Sequence, residues 1–394
     1  IIMHKFQTLF WSVIFNILSL LFFLFPLKRN RVIFNSAENK NFNYNSRYLF
    51  EFLKNYNNEY EIYFVINDAD LRAKLSIEHG GKYFITTYSL KSCFLIMRSK
   101  FWIISTFESP YVCFVRHHRR IVFHLGHGIP LKAIGQLAKF PTKLKLKLQK
   151  ILRIRPITHA LCYSEEYKTN MSAIFNSDFI EYVPLGQPRN DSIVLKDSVE
   201  TGKLIKESIL NVPSFDKAIL YSPTWRPYDK ARFFPFADLE ANELNSILSQ
   251  TKTMLFLRGH PFFESFCPDS FENLSNIHWL NNDVIDDITS HLPFFDKIIT
   301  DYSSIFIDYL CVNKPIGFLQ YDYQQYDDMV GFATDDREIF CGVKIESSDD
   351  FISFIIDQDD SWMPERLKIA RLLNIKNSGN SLENKMFLDS LRKK

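Results

Sequence analysis

Three polar residues that follow an apolar run, Asp301, Ser304 and Asp308, have the spacing of one helix face. The run Lys297–Thr300 is typical of a strand, and the apolar residues after Ser303 recur at three-to-four spacing, which indicates a helix. The first turn of that helix would offer backbone N–H groups, hydroxyls and a positive dipole end to a phosphate. The two carboxylates could accept ribose hydroxyls. An ordinary strand–helix unit, in which Asp301 and Ser303 only cap the helix, explains the same residues.

Basic residues stand at the ends of two further predicted strands. Arg226 ends the run YSPTWR, and Arg258 and His260 lie in the run LRGHP. Because the carboxyl ends of parallel strands meet at one edge of a sheet, we expect these groups near the helix start described above. Together they would form a cationic pocket suited to a diphosphate. Taken singly, His260 could cap a strand and Arg226 could pair with Asp229 at the surface.

A histidine follows a predicted strand in the first half of the chain. In the run HLGHGIPLK, His127 stands between two glycines and Lys132 follows five residues later. A histidine on a turn loosened by glycine can reach a substrate and act as a neutral base. The nearby lysine would keep the imidazole neutral and could hold phosphate.

Strands and helices alternate along the whole chain in the rhythm of α/β proteins. A helical pattern at Ser46–Lys54 separates the first two predicted strands, and further helices are predicted at 238–250, 284–291 and 303–312. The predicted strands are β-rich runs at 31–35, 60–66, 101–105, 121–124, 218–222, 254–257, 277–280, 297–300 and 316–319. This alternation predicts parallel sheets with helices on both faces.

The passage GQPRND, residues 186–191, is rich in turn formers and indicates the connection between two domains. We predict a hydrophobic segment at 1–30, a Rossmann-like domain with the catalytic base at 31–205, and a second Rossmann-like domain for the donor at 206–394. Both would be doubly wound and would face a cleft formed by the carboxyl ends of their strands.

Composition limits the class of protein. The 394 residues are 46% hydrophobic and 15% aromatic, enough for two packed cores, which excludes a disordered chain. Six scattered cysteines without a CxxC pair indicate buried free thiols in a reducing compartment. Residues 1–200 carry a net charge of +12 and residues 201–394 a net charge of −10. The first half therefore suits an anionic partner.

The amino-terminal run Phe6–Phe25 is about long enough to cross a bilayer as a helix. Four polar residues form one stripe along it, namely Thr8, Ser12, Asn16 and Ser19. The stripe favours a helix that lies in the membrane interface or packs the stripe on the protein over a clean span, although a spanning helix stays open. The basic residues that follow, Lys28, Arg29 and Arg31, would keep that end on the cytoplasmic side.

A second candidate for membrane contact is the segment Lys139–Arg155. Leucines and isoleucines form an apolar stripe there, flanked by lysines and arginine. Such stretches bind anionic membrane surfaces, whereas the plainer interpretation is a surface helix with its stripe on the core. A nucleic-acid patch is disfavoured, because no aromatic residues lie between the basic ones.

The run HGIPLK, residues 127–132, resembles the HGTPLK motif of the CDP-glycerol glycerophosphotransferase family, enzymes that prime and polymerise teichoic acids and related capsular polymers. The passages GQPRND, YSPTWR, LRGHP and TDYSSIFIDYLCVNKPIGFLQYDYQQY resemble other motifs of that family, in the same order and across residues 31–340. Two departures stand out. Ile129 replaces the usual threonine, and GFATDDREIFCG, residues 331–342, lacks the PGP that the family often has.

The resemblance implies a glycosyltransferase-B-like fold at the inner face of the membrane, with roles for nine residues. By resemblance His127 is the catalytic base, and His260, a diphosphate contact, is counted with it among the catalytic residues. The implied donor and diphosphate ligands are Lys132, Arg226, Arg258, Ser303 and Ser304. Asp301 and Asp308 would contact the nucleoside, Asp308 through its ribose. The implied partners are a CDP-linked polyol, a lipid-linked or polymeric glycan and the membrane surface, and no nucleic acid is implied.

The reaction we predict is in-line attack by an acceptor hydroxyl on the β-phosphorus of a CDP-linked glycerol or ribitol, with release of CMP. No metal-ligand cluster has convincing spacing, so no cofactor is required, although a loosely held Mg²⁺ could bridge the phosphates. Two alternatives remain. The same fold serves glycosyltransferases that use sugar nucleotides, and a membrane-bound scaffold could bind the nucleotide without catalysis.

Overall fold

The computed structural model describes every residue except 1, 22, 24, 57–58, 115, 140, 196–197, 209–212, 260–263, 335–338 and 394, and only the backbone of 2–5, 194–195 and 208. The strands of the described chain are β1 (Lys28–Asn35), β2 (Glu61–Val65), β3 (Phe84–Ile85), β4 (Ser99–Ile104), β5 (Ile121–His124), β6 (His159–Leu161), β7 (Glu181–Val183), β8 (Lys217–Tyr221), β9 (Ala231–Arg232), β10 (Thr253–Leu257), β11 (Ser265–Phe266), β12 (Ile277–Trp279), β13 (Lys297–Thr300), β14 (Ile316–Phe318) and β15 (Val343–Lys344).

Helices stand between most of these strands. They are α1 (Ile2–Leu21), α2 (Tyr44–Asn55), α3 (Ala69–His79), α4 (Leu90–Met97), α5 (Lys143–Gln149), α6 (Lys168–Phe175), α7 (Asp191–Leu195), α8 (Ser198–Ser208), α9 (Ala241–Gln250), α10 (Ile305–Tyr309), α11 (Tyr323–Met329), α12 (Ser348–Ile356), α13 (Met363–Leu372) and α14 (Asn380–Lys393). A π-helical stretch, Lys150–Ile154, continues α5.

Two parallel sheets carry the fold. The first has seven strands in the order β3-β2-β1-β4-β5-β6-β7, and the second has six in the order β12-β10-β8-β13-β14-β15. Every strand pair within them is parallel. The central strands β4, β10 and β13 are buried along their whole length, as expected for apolar strands covered on both faces.

The chain forms two compact units, one around each sheet. The first comprises residues 1–129, 141–191 and 378–394, and the second comprises 130–140 and 192–377. This division differs from the predicted one, because residues 130–140 and 192–205 belong to the second unit and residues 378–394, which include α14, belong to the first. The chain therefore changes unit within the HGIPLK run, between Ile129 and Pro130.

Polar contacts explain why α14 joins the first unit. The carboxylate of Asp191 accepts hydrogen bonds from the backbone N–H groups of Asn380 (3.0 Å) and Ser381 (2.7 Å), which are donors of the first turn of α14. Asn384 donates to the carbonyl oxygen of Gly186 at 2.9 Å. The passage GQPRND, predicted as a domain connection, thus also receives the carboxyl-terminal helix.

The polar stripe of α1 packs on the first unit. Ser12 Oγ accepts from the backbone N–H of Val112 at 3.3 Å. Asn16 Nδ2 donates to the carbonyl oxygen of Val112 at 2.7 Å, and Asn16 Oδ1 accepts from Phe114 at 2.8 Å. Phe15, on the same side, is fully buried. Packing on the protein, one of the alternatives predicted for this stripe, is therefore what the structure has.

Within the described residues, every helix is too short or too polar to cross a bilayer. The predicted helix at 284–291 is wrong, since its first residues form turns and the segment ends in a 3₁₀ helix, Thr289–Phe294. Asp287 Oδ1 accepts from the backbone N–H of Thr289 at 3.0 Å, a side-chain bond of the kind that competes with helix formation.

Candidate active site

The turn after β5 presents His127 to solvent in the first unit. Its two flanking glycines both have positive φ, +74° at Gly126 and +139° at Gly128. A Cβ at Gly126 would lie 2.3 Å from the hydroxyl of Tyr163, so any larger residue would force that buried side chain to move. The glycines bend the chain sharply and leave the imidazole on the outside of the turn.

The imidazole of His127 is held in one tautomer. Its Nδ1 lies 3.3 Å from the carbonyl oxygen of Ser105, at the end of β4. Because a carbonyl only accepts, Nδ1 carries the hydrogen and the lone pair of the neutral ring is on Nε2. Arg189 Nη1 donates to the backbone oxygen of His127 at 2.7 Å. Both the ring and the backbone are therefore oriented by groups outside the turn.

The other histidine of this strand end, His124, does not compete as a base. It is buried, and burial together with the neighbouring His127 lowers the pKa of His124 to about 3. At neutral pH it is an uncharged core side chain that stacks on Phe107, with ring centroids 5.4 Å apart.

Lys132 belongs to the second unit, where it meets the YSPTWR run. Its Nζ donates to the hydroxyl of Thr224 and lies 5.4 Å from the ring centroid of Trp225. Burial lowers the pKa of Lys132 to about 8, with a further contribution from Arg226 and opposition from Asp301. Lys132 is thus a partly buried cation at neutral pH, and the lower local dielectric strengthens its attraction for an anion.

Arg226 is fully engaged by two carboxylates. Its guanidinium donates to Asp301 at 2.6 Å and makes a two-pronged contact with Asp322, at 3.0 Å and 2.9 Å. The side chain is buried, and three tyrosine rings lie within 5.4 Å of it. Burial alone would lower the pKa of Arg226, but the two carboxylates raise it. We call Arg226, Asp301 and Asp322 the Arg226 cluster.

Asp301 ties two neighbouring strands together inside that cluster. Its carboxylate accepts from the backbone N–H of Thr224 at 2.9 Å and from that of Tyr302 at 2.6 Å. The ends of β8 and β13 are joined in this way, and the carboxylate is buried. Its predicted contact with the nucleoside stays a prediction.

Sequence reasoning missed Asp322, the second carboxylate of the cluster. Besides Arg226, it accepts from the hydroxyls of Tyr228 at 2.7 Å and Tyr302 at 3.1 Å. Burial raises the pKa of Asp322, but the hydrogen bonds and charge of Arg226, with smaller contributions from the two tyrosine hydroxyls, outweigh burial and lower it. The only local signal was the tyrosine-rich run around it, YDYQQY, whose rings Tyr321 and Tyr326 flank Arg226.

The hydroxyls after β13 keep partial exposure. Ser303 and Ser304 are both half-buried, and Ser303 Oγ accepts weakly from the backbone N–H of Ile305 at 3.5 Å. The helix that follows, α10, has five residues instead of the ten predicted. Asp308 lies in α10 and is buried. At this strand end, the two predicted phosphate ligands, Ser303 and Ser304, are therefore both partly accessible to solvent.

The last predicted ligands lie after β10. Arg258 is buried and donates to the carbonyl oxygen of Leu280 at 3.0 Å and to Asn282 Oδ1 at 2.6 Å. Burial lowers the pKa of Arg258. His260 lies outside the described residues. Across the part of the chain that the structure describes, no three His, Cys, Asp or Glu side chains form a group that could hold a metal ion.

The structure thus brings the predicted residues together in two groups, one in each unit. The first centres on His127 and can take a proton at Nε2. The second joins Lys132, the Arg226 cluster and the half-buried serines at neighbouring strand ends, and it offers a cation and hydroxyls to an anionic ligand. The guanidinium of Arg258 is bound to residues 280 and 282, and its backbone N–H donates to the carbonyl oxygen of Tyr221 at the end of β8 (2.9 Å).

Comparisons with known proteins show the family to which the chain is similar. The model of the CDP-glycerol:poly(glycerophosphate) glycerophosphotransferase family matches residues 17–384. A teichoic acid poly(glycerol phosphate) polymerase of Bacillus subtilis (strain 168) is 28% identical over 352 residues, which are 86% of this chain but 45% of that relative. A teichoic acid glycerol-phosphate transferase of Staphylococcus aureus (strain NCTC 8325 / PS 47) is 25% identical over 84% of this chain and 85% of that relative.

A solved structure of the wall teichoic acid polymerase TagF has the same fold. It superposes with a TM-score of 0.73 at 20% identity, over 100% of this chain and 98% of that chain. The predicted α/β class with two parallel sheets is therefore confirmed, as is its likeness to the glycosyltransferase-B-like fold.

Proposed function

The chain belongs to the CDP-glycerol:poly(glycerophosphate) glycerophosphotransferase family, and from this premise we propose that it transfers glycerol phosphate or ribitol phosphate from a CDP-linked donor to a glycan hydroxyl. The acceptor is a membrane-associated or polymeric teichoic-acid-type glycan, and CMP is released. The observation that carries the proposal is His127, an exposed imidazole whose Nδ1–H is fixed by the Ser105 carbonyl. A base held in one tautomer suits the deprotonation of a hydroxyl.

The chemical step is an in-line displacement at phosphorus. The acceptor oxygen forms a bond to the phosphorus that carries the polyol, and the bond from that phosphorus to the bridging oxygen breaks, so CMP leaves with the bonding electrons. The proton of the acceptor hydroxyl moves to Nε2 of His127. Attack becomes easier because removal of the proton leaves electron density on the oxygen, which the new bond to phosphorus then takes up.

Lys132 and the serines after β13 are the proposed ligands of the diphosphate. Lys132 supplies a partly buried positive charge, and Ser303 and Ser304, which follow Asp301 in the same unit, supply hydroxyl donors. Such donors stabilise the charge that spreads over the phosphoryl oxygens during transfer. Arg226 is assigned a structural role. It binds Asp301 and Asp322 and so fixes the strand ends next to the proposed diphosphate ligands.

Membrane attachment is the second part of the proposal, and the first unit carries it. On α1 the side opposite the polar stripe exposes a row of large apolar side chains. Their exposed fractions are between 50% and 70% for Phe6, Leu9, Phe10, Val13, Ile17, Leu20 and Leu21. A helix that packs its polar side inward and turns its apolar side outward suits insertion into the headgroup region of a membrane.

The basic helical stretch 143–154 adds positive charge beside that face. Leu144, Leu148 and Ile151 are 68%, 48% and 42% exposed and alternate with lysines. The loop after β4 touches both elements, through an ion pair of Glu108 with Arg153 (3.2 Å) and through the bond of Val112 with α1. These two elements support the proposal that the protein binds the anionic surface of the cell membrane at its cytoplasmic face.

Product analysis tests the transfer activity. CDP-glycerol and CDP-ribitol are offered in turn with a lipid-linked acceptor, and the released nucleotide and the extended acceptor are identified by mass spectrometry. Release of CMP with an acceptor heavier by one polyol phosphate supports the proposal, and the preferred donor then names the polyol. Undiminished turnover in EDTA supports a reaction that needs no metal.

Other outcomes of that assay overturn the proposal. Release of a nucleoside diphosphate from a sugar nucleotide, with transfer of the sugar, would make the protein a glycosyltransferase. Saturable donor binding without turnover would make it a scaffold. Both alternatives share the fold, so the product and not the structure separates them.

Vesicle flotation tests the membrane attachment. The protein should float with vesicles of phosphatidylglycerol and far less with vesicles of phosphatidylcholine, because anionic lipid attracts the lysines. The double variant Leu9→Glu, Leu20→Glu should remain in the lower fractions. Ile77→Glu is the matched control, since Ile77 is an apolar residue of the same unit that is 87% exposed on a different helix, α3. Flotation of the double variant equal to that of the control would sink the assignment of α1.

A further inference from the structure

Tyr44, the first residue of α2, has an unusual backbone for its type. Its φ is +60°, in the left-handed region. A bulky side chain rarely adopts this conformation, because its Cβ crowds the backbone, and it persists only where the surroundings enforce it. Strain of this kind points to a requirement for the side chain at that position.

The residues after Tyr44 are anchored to the ends of two strands. Asn45 is buried, and its Nδ2 donates to the carbonyl oxygens of Leu125 (3.1 Å) and Gly126 (3.0 Å). The backbone N–H of Ser46 donates to Ser105 Oγ at 2.8 Å. The start of α2 is thereby tied to the strand ends that carry His127 and its Ser105 partner.

The residue before Tyr44 is anchored as well. The hydroxyl of Ser36 donates to Oδ1 of Asn43, so both neighbours of Tyr44 are fixed by side-chain hydrogen bonds. With the backbone held on both sides, the left-handed conformation of Tyr44 is maintained and the direction of its Cα–Cβ bond is set.

That direction places the ring of Tyr44 beside the imidazole of His127. The ring centroids are 5.3 Å apart and the planes are inclined by 47°. Nδ1 of His127 is bound to the Ser105 carbonyl, so one contact fixes the tautomer and the tyrosine ring limits the rotation of the imidazole about it.

We propose that Tyr44 is a positioning residue for His127, holding the imidazole so that Nε2 meets the acceptor hydroxyl. The inference rests on the proposed function, in which His127 takes the hydroxyl proton while the new O–P bond forms and CMP departs. A base displaced by a rotation of its ring no longer aligns with the attacking oxygen, so the role of Tyr44 is exerted on the rate and not on donor binding.

The passage GQPRND supports the same arrangement. Arg189 donates from its guanidinium to the backbone oxygen of His127 at 2.7 Å, and its backbone N–H donates to Asn45 Oδ1 at 3.1 Å. One residue thus links the histidine turn to the anchor of Tyr44. This assigns to the motif a use beyond connecting the two units.

Three variants test the proposal. Tyr44→Gly removes the ring and accepts a positive φ without strain, so folding is not weakened. Tyr44→Phe keeps the ring. Lys252→Gly is the matched control: Lys252 is an exposed residue of the second unit whose φ is +49°, so glycine relieves the same kind of backbone strain at a position without a part in the site.

The expected result is a rate effect without a loss of stability. Tyr44→Gly should lower kcat by about 10- to 100-fold while KM for the CDP-linked donor stays within about twofold. Its melting temperature should equal or exceed that of the wild type. Tyr44→Phe and Lys252→Gly should keep kcat within about twofold of wild type, because neither removes the aromatic ring beside His127.

Wild-type kcat in Tyr44→Gly would overturn the proposal, and so would an equal loss in Tyr44→Phe, which would assign the effect to the hydroxyl. If Tyr44→Gly fails to fold, Tyr44→Asn replaces it, since asparagine tolerates the left-handed region. His127→Ala is measured beside them. Full activity in His127→Ala refutes the proposed base, whereas an inactive His127→Ala with a fully active Tyr44→Gly refutes only the role of Tyr44.

Discussion

The turn at His127 and the Arg226 cluster treat their polar groups in opposite ways. His127 is exposed, and one ring nitrogen is bound to a backbone carbonyl so that the other keeps the lone pair. Arg226 is buried, and its guanidinium meets two carboxylates and a backbone oxygen. In the sequence both look like ligands or catalysts. The difference teaches that residues of similar chemistry in the sequence can differ in how far the fold exposes them and in how many protein groups bind them.

Replacement of His127 by alanine should have the largest effect on the reaction. We expect kcat to fall by about 10²- to 10⁴-fold, the usual contribution of a general base, with no change in the melting temperature because the side chain lies in solvent. Single-turnover CMP release measures the step. Full activity in the variant would show that the His127 turn, like the Arg226 cluster, has no catalytic role.

Arg226→Met should act on folding instead. It leaves Asp301 and Asp322 buried without their cation, which should lower the free energy of unfolding by about 3–5 kcal/mol in a guanidinium titration. The matched control is Arg232→Met, because Arg232 pairs with Asp229 at the surface (2.9 Å). There we expect a loss below about 1 kcal/mol. Equal losses of unfolding free energy in the two variants would show that the Arg226 cluster does not stabilise the fold.

The pH dependence of donor use should follow Lys132. Its pKa of about 8 means that the side chain is charged at neutral pH and loses its charge as the pH rises through 8. We therefore expect kcat/KM for the donor to decline above about pH 8, by up to tenfold per pH unit. Lys132→Arg should remove this decline, because a guanidinium stays charged. An unchanged alkaline limb in that variant would assign the limb to another group.

Tyr228→Phe should give the smallest of these effects. The variant removes one hydrogen bond to Asp322, of 2.7 Å, but leaves the contacts with Arg226 in place. We expect a loss of about 1 kcal/mol in the free energy of unfolding and no change in kcat. Tyr63→Phe, which removes a bond to Glu61 in the first unit, is the comparison. A large fall in kcat would show that Tyr228 contributes to catalysis, and the Arg226 cluster would then not be purely structural.

The strands were the most predictable part of the fold. The bounds predicted for β5 and β13 agree with the structure, because an apolar β-rich run between turn residues specifies a strand within a few positions. Helices between them were less predictable. The predicted helix at 284–291 failed where Asp287 bonds to the backbone, and α10 is half its predicted length.

The placement of the candidate site was predictable only in part. A histidine between two glycines after a strand indicates an exposed turn by its local sequence, and the structure has that turn. The sequence around Arg226 did not predict its contact with Asp322, which is 96 positions away in the chain. Likewise, the contact of Tyr44 with His127 joins residues from two separate strand–helix units.

By itself, the sequence determined the alternation of strands and helices, the glycine turn at His127 and the order of motifs that marks the family. These features depend on neighbours a few residues apart, where steric preferences and periodicity act directly. Only the tertiary structure decided which polar groups are buried and paired inside the protein. It also decided how α14 joins the first unit and that α1 turns its apolar face outward. The reason is physical: burial and pairing of a side chain depend on the residues packed around it, and those come from distant parts of the chain.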